Sequence, residues 1–166
     1  AVFAWLDAQM DPQTGFWRRG VSCPRPMEYL GGAFHIWPLY AALERPLPYP
    51  ERVIDSVLRL QEANGAFGGG FDYGNMDGVW VLQYLAQRRP YRREDVLAAL
   101  ERNAHGLMRL YNDEPSRFLG SAHSTESRIA TLAILQAALP ELFTAERPWR
   151  NPWHRRELFV IRCEGQ

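Results

Sequence analysis

The side chains able to do chemistry in this chain are few, and most precede apolar helical runs. They are Glu28, His35, Asp72, Tyr73, Asp77, His123 and Glu126. A carboxylate held among aromatic rings has its pKa raised and becomes a proton donor. Asp77 is the first candidate for that part, with His123 and Glu126 assisting as catalytic residues. Helix N-termini gathered at one mouth would also favour an anionic group there. Each residue has a plainer role available. Asp77 can be a helix N-cap, Glu126 a first-turn acid facing the helix dipole, His35 a core histidine, and His123 a loop histidine. Aromatic residues near these positions would line an apolar pocket and stabilise a cation on their ring faces. The expected ligand-binding set is Trp17, Phe34, His35, Trp37, Phe67, Phe71, Asp72, Tyr73 and Trp80.

The elements that must position these residues follow from hydrophobic periodicity. Residues 1–9 read as the end of a helix, stopped by Asp11-Pro12 and Gly15. Residues 31–43 form a helix without a polar face, kinked at Pro38. Pro50 opens an amphipathic helix to Gln61, with Val53, Ile54, Val57 and Leu58 on one face. The glycine-rich crossing Gly65 to Gly74 follows, and Asp77 is expected to cap the next helix, which is apolar nearly all round. Residues 92–111 are amphipathic again. Residues 124–139 are apolar on most faces, and Pro140 ends them.

A helix without a polar face must be covered on every side. Alternating amphipathic and all-apolar helices therefore predict two layers, with the apolar helices inside. An internal repeat supports this. Trp5 to Gln9 followed by Gly15-Phe16-Trp17 recurs as Leu58 to Gln61 followed by Gly65-Ala66-Phe67, and weakly as Leu107 to Tyr111 followed by Phe118-Leu119-Gly120. A period of about 50 residues marks stacked supersecondary units. The expected fold is all-α, an α/α toroid or half toroid of about three helical hairpins. Residues 1–143 would form the repeat domain, and residues 144–166 an irregular tail packed on it as a strap.

Gln9 with Gly15-Phe16-Trp17 resembles the repeat motif of squalene-hopene and related terpenoid cyclases. The stretch GAFGGGFDYGNMDGVWVLQYL is similar to the glycine-rich segment of protein prenyltransferase β subunits. In those subunits an Asp and a Cys two residues later bind zinc, with a histidine from the next repeat. Asp77 matches the Asp, Val79 stands where the Cys would be, and His123 resembles the histidine. The DxDD motif of the cyclases is missing. The resemblance, over about residues 3–140, implies an α/α toroid binding an isoprenoid or other apolar small molecule, with acid or metal assistance. Two ligands are too few for zinc, which takes about four. No cofactor and no metal-binding residue is therefore assigned, and zinc or magnesium is the alternative. A full toroid in that family has roughly twice as many hairpins, so a homodimer or a second half-toroid chain would complete the ring. The other functional readings are a non-catalytic helical scaffold or partner-binding module, and a carbohydrate-active toroid using Asp77 and Glu126 as its carboxylate pair.

Composition excludes several classes. Nineteen Lys+Arg balance nineteen Asp+Glu, which leaves no basic footprint for nucleic acid. No apolar run approaches the ~20 residues that span a bilayer. Cys23 and Cys163 make neither a disulfide framework nor a CxxC pair. A reduced, cytoplasmic protein is expected. Residues 1–9 lack the charged region and cleavage site of a signal peptide. They read as a helix end, and the chain is expected to be a fragment or processed product of something longer.

Overall fold

The computed structural model describes residues 1–17, 25–144 and 149. Among these the chain is all helical, and the only β feature is an isolated bridge between Gln61 and Phe67. Eight α-helices follow in order: α1 (Val2–Gln9), α2 (Pro26–Phe34), α3 (Trp37–Ala42), α4 (Pro50–Leu58), α5 (Tyr73–Ala86), α6 (Arg93–Asp113), α7 (Pro115–Phe118) and α8 (Ala122–Ala138). A 3₁₀ turn, Pro140–Leu142, ends the series. No helix among the described residues is long and apolar enough to cross a membrane.

The expected helix over residues 31–43 is two helices. They part at His35 and Ile36, and Pro38 stands in the first turn of α3, where its missing N–H costs nothing. The expected break therefore falls ahead of the proline. The short α7 has no counterpart in the periodicity, because four residues are too few to show one. Most of the expected tail lies outside the described residues. Trp149 is described; its N–H donates to Gln136 Oε1 at 2.8 Å, and its ring meets Tyr111 edge-on. Cys23 and Cys163 also lie outside the described residues.

The core is built around α5. Twelve of its fourteen residues are buried, as a helix without a polar face requires. It packs against α2 on one side and α8 on the other, with α4 and α6 also in contact. The amphipathic α4 and α6 turn Val53, Ile54, Val57, Val96, Leu100 and Leu107 inward. The amphipathic α4 and α6 contact each other and α5, and α6 also contacts α8.

The repeat shows as a recurring backbone contact. Gly15 and Gly65 both have positive φ, +73° and +93°. A Cβ on Gly15 would lie 2.8 Å from the Val53 backbone N, and one on Gly65 would lie 2.8 Å from the Arg102 carbonyl carbon. In each case the turn after one helix abuts the next amphipathic helix, α4 or α6, one repeat apart. Gln61 ties the second turn down. Its Nε2 donates to Gly65 O at 3.0 Å and to Ala99 O at 2.7 Å, and its Oε1 accepts from Arg102. Asn103 Nδ2 donates to Gly65 O at 2.8 Å and to Asn75 Oδ1, which also accepts from Phe67 N. The third repeat lacks this contact, since Gly120 has no positive φ.

Two glycine substitutions separate backbone strain from packing. Gly70 has φ +120° with nothing within 4 Å of an added Cβ. Gly70→Ala should therefore cost only the conformational term, about 1–2 kcal/mol. Gly65→Ala adds a collision with the α6 backbone and should cost about 3 kcal/mol or more. Urea unfolding of both variants checks the order.

Candidate functional site

The crossing from α4 to α5 sets the site. Gly68, Gly69 and Gly70 all have positive φ and carry the chain across in a path other residues rarely adopt. Gly69 N donates to Glu62 Oε1 at 2.6 Å, and Asp72 then starts α5. The N-cap is Asp72, which accepts from Tyr73 N, so the helix begins five residues earlier than the capping reading of Asp77 requires. Asp72 also accepts from Ser124 Oγ at 3.2 Å, which ties the start of α5 to the start of α8. Ser121 caps α8 by accepting from Ser124 N. His123 is therefore in the first helical turn and Glu126 in the second, where the dipole acts weakly. Arg128 braces the crossing from below. It donates to the carbonyls of Phe71, Arg117 and Phe118 at 2.6, 2.7 and 2.8 Å, a half-buried structural duty.

Helical spacing then places Tyr73, Asp77, Trp80 and Tyr84 along one face of α5. Between this face, α2, α3 and the start of α8 lies a cavity of about 600 Å³. Phe34, His35, Tyr73, Asp77, His123 and Glu126 all line it. Trp80 lies behind the lining, buried edge-on to Phe34 at 5.6 Å and stacked at 5.2 Å on Tyr84, which borders a different recess. His123 leans on the Tyr73 ring at 5.4 Å. His35 is exposed at the break between α2 and α3, so the core-histidine reading does not hold.

Six of the expected pocket residues, Trp80 among them, lie outside the lining. Trp37 is fully buried in the core against Phe16, and Phe67 is fully buried against Gly78 of α5. Trp17 donates to Leu6 O and packs on Tyr40. Phe71 sits against Gly106 of α6, and Asp72 is occupied as a cap. Aromatic type alone did not distinguish core from lining. Met27, Glu28, Gly31, Pro38, Leu39 and Met76 line the cavity in addition. The Met27 and Met76 positions carried no chemical signal. Gly31 did carry one, as a residue without a side chain on an otherwise apolar helix. A Cβ there would stand 3.8 Å from Asp77 Oδ2 and 3.9 Å from the Tyr73 ring.

Asp77 is the unusual member. It is 3% exposed, and no hydrogen bond or ion pair reaches its carboxyl among the described residues. Burial alone pushes its pKa from 3.8 up to about 8, so it is largely protonated at neutral pH. No three His, Cys, Asp or Glu side chains among the described residues come together as a metal site. No family model, curated protein or solved structure matches the chain.

The Asp77 carboxyl costs the fold least while protonated, so the stability it allows is greatest at low pH. Its contribution is complete below the unfolded pKa and is lost as pH rises toward about 8. Unfolding free energy should therefore fall between about pH 4 and pH 8, and Asp77→Asn should flatten that slope and exceed wild type at pH 8. Urea unfolding at pH 5 and pH 8 for both proteins tests this.

Proposed function

We propose that the chain is a half toroid of α/α hairpins whose concave face binds an isoprenoid or other apolar molecule, with Asp77 as the acid that works on it. The observation that carries this is the isolated Asp77 carboxyl facing a cavity walled by Phe34, Tyr73, Met27, Met76 and Leu39. A protonated carboxyl in apolar surroundings is a proton donor, and burial maintains it in that form at neutral pH. Phe34 and Tyr73 supply the aromatic rings of the lining, whose faces would stabilise positive charge developing on the ligand after protonation. His123 and Glu126 at the mouth would exchange Asp77's proton with solvent. The resemblance of the glycine-rich crossing and α5 to terpenoid cyclases and prenyltransferase β subunits agrees with this arrangement. A carbohydrate ligand suits the cavity less well, because most of its surface is apolar, from Met27, Phe34, Pro38, Leu39 and Met76.

A second reading has its own observation. On the other side of α8, Leu119, Ala122, Thr125, Ile129 and Ala130 border another, more open apolar recess of about 620 Å³. It is the surface against which a further helical hairpin, from a second chain or a homodimer partner, would pack.

Filling the first cavity tests the proposal. Gly31→Phe projects a ring over Asp77 and should abolish quenching of tryptophan fluorescence by an apolar probe such as farnesol. Asp77→Asn should retain that binding and lose acid-dependent conversion of the probe. Undiminished farnesol binding in Gly31→Phe would place the ligand elsewhere.

A further inference from the structure

The turns after α1 and α4 close with the same two hydrogen bonds, the first turn being one residue longer. Asp11 N donates to Phe16 O at 2.9 Å and Gly15 N to Asp11 O at 2.7 Å. Glu62 N donates to Ala66 O at 2.8 Å and Gly65 N to Glu62 O at 2.9 Å. Each turn lies on the next amphipathic helix. The first meets Val53 of α4; the second meets Arg102 and Asn103 of α6, where Gly106 abuts Asn64 O and the Phe71 ring. The receiving positions, Val53 and Ser56 on α4 and Asn103 and Gly106 on α6, are all buried. Val53 and Ser56 precede Glu62 by nine and six residues, as Val2 and Trp5 precede Asp11. Yet Val2 and Trp5 are 69% and 63% exposed. The other exposed residues of α1, Ala4 and Ala8, are also uncharged, whereas α4 and α6 expose Arg52, Arg59, Glu101 and Arg109. So α1 presents a turn-receiving face with no turn on it. At the other end, the turn Leu119–Gly120 has no further amphipathic helix to lie on after α8 among the described residues, and Leu119 is 61% exposed. This turn borders the recess of about 620 Å³, whose lining is apolar but for Thr125 and Glu126. Stacked repeats stay separate when their end units carry polar outer faces. Both ends here are apolar.

We infer that copies of this chain associate head to tail, with Val2 and Trp5 of one copy filling the recess between the Leu119–Gly120 turn and α8 of the next. This rests on the second reading of that recess, as a packing surface, and names its occupant; the Asp77 cavity takes no part. The contact continues between copies the turn-on-helix packing found within each chain. Shape agrees on both sides. Within the chain the second turn presses its backbone onto Gly106, which leaves no room for a side chain, and the α4 equivalent Ser56 is also small. The third turn has no glycine of positive φ and opens into a recess, and the α1 position that would meet it carries a tryptophan. A Trp buried at the centre of a contact is where interface energy concentrates. The two patches are different surfaces of the chain, so the contact is heterologous.

Sedimentation velocity of wild type, Trp5→Ala and Leu119→Arg over a wide range of concentration tests this. Wild type should sediment as dimers or larger at micromolar chain. Each substitution should weaken association about thirtyfold or more. Both positions are exposed, so circular dichroism should show wild-type helicity in each variant. Each variant spoils only one of the two patches. An equimolar mixture should therefore form a heterodimer and nothing larger, with Trp5 of the Leu119→Arg chain entering the intact recess of the Trp5→Ala chain. Wild type that stays monomeric throughout would overturn the self-association and leave the recess to a hairpin of a different chain. Undiminished association in either variant, or a mixture in which the two folded variants do not pair, would overturn the head-to-tail contact. Neither Trp5 nor Leu119 lines the Asp77 cavity, so the reading of that cavity stands or falls separately.

Discussion

The constraint on which the molecule depends is the enclosure of α5. A helix of fourteen residues with twelve buried is stable only if neighbours cover it on nearly every side. Helices α2 and α8 flank it, and α4 and α6 back it. Each neighbour then needs its own solvent face, and the alternation of amphipathic and apolar segments along the chain supplies it. The turns that make this alternation compact are held by backbone approach. Gly15 and Gly65 let the chain lie directly on the next amphipathic helix, and Gln61, Asn75 and Asn103 satisfy the polar groups that this approach buries.

The same enclosure creates the site. Asp77 belongs to the face of α5 that looks between α2 and α8, so the packing that stabilises the helix also removes water from its carboxyl. Nothing in the described protein compensates this burial with a hydrogen bond. An uncompensated acid is a cost to stability above neutral pH, and such costs are retained where function uses them. Asp72 shows the contrast. Five residues earlier on the same helix, it is partly exposed and bonded to Tyr73 N and Ser124 Oγ, and it serves structure alone.

Much of this was legible in the sequence. The mostly apolar run 79–85 required a buried helix, the periodicity gave an all-helical chain, and six of the chemically suspicious residues meet at one cavity. What was not legible has physical causes. Helix starts were misplaced because a capping carboxylate is recognised by its backbone geometry, and Asp72 and Asp77 look alike in a string of letters. Trp37 and Phe67 were taken for lining because aromatic rings serve core and pocket equally well, and only the packing of Phe16 and Gly78 against them decides. The anchoring by Arg128 left no trace in the sequence, since its three carbonyl partners come from Phe71 and the short α7 turn, whose positions no local pattern gives.

The central claim is that Asp77 is a neutral acid in the folded protein at physiological pH. Carbon-13 NMR of the protein labelled at the aspartate carboxyl, with Asp77→Asn for assignment, reads this directly. The account predicts a carboxyl resonance titrating near pH 8, far above the ordinary value of 3.8. A midpoint below about 5, in the usual range for aspartate, would contradict it, because the carboxyl would then be solvated or paired and could not act as the site's acid.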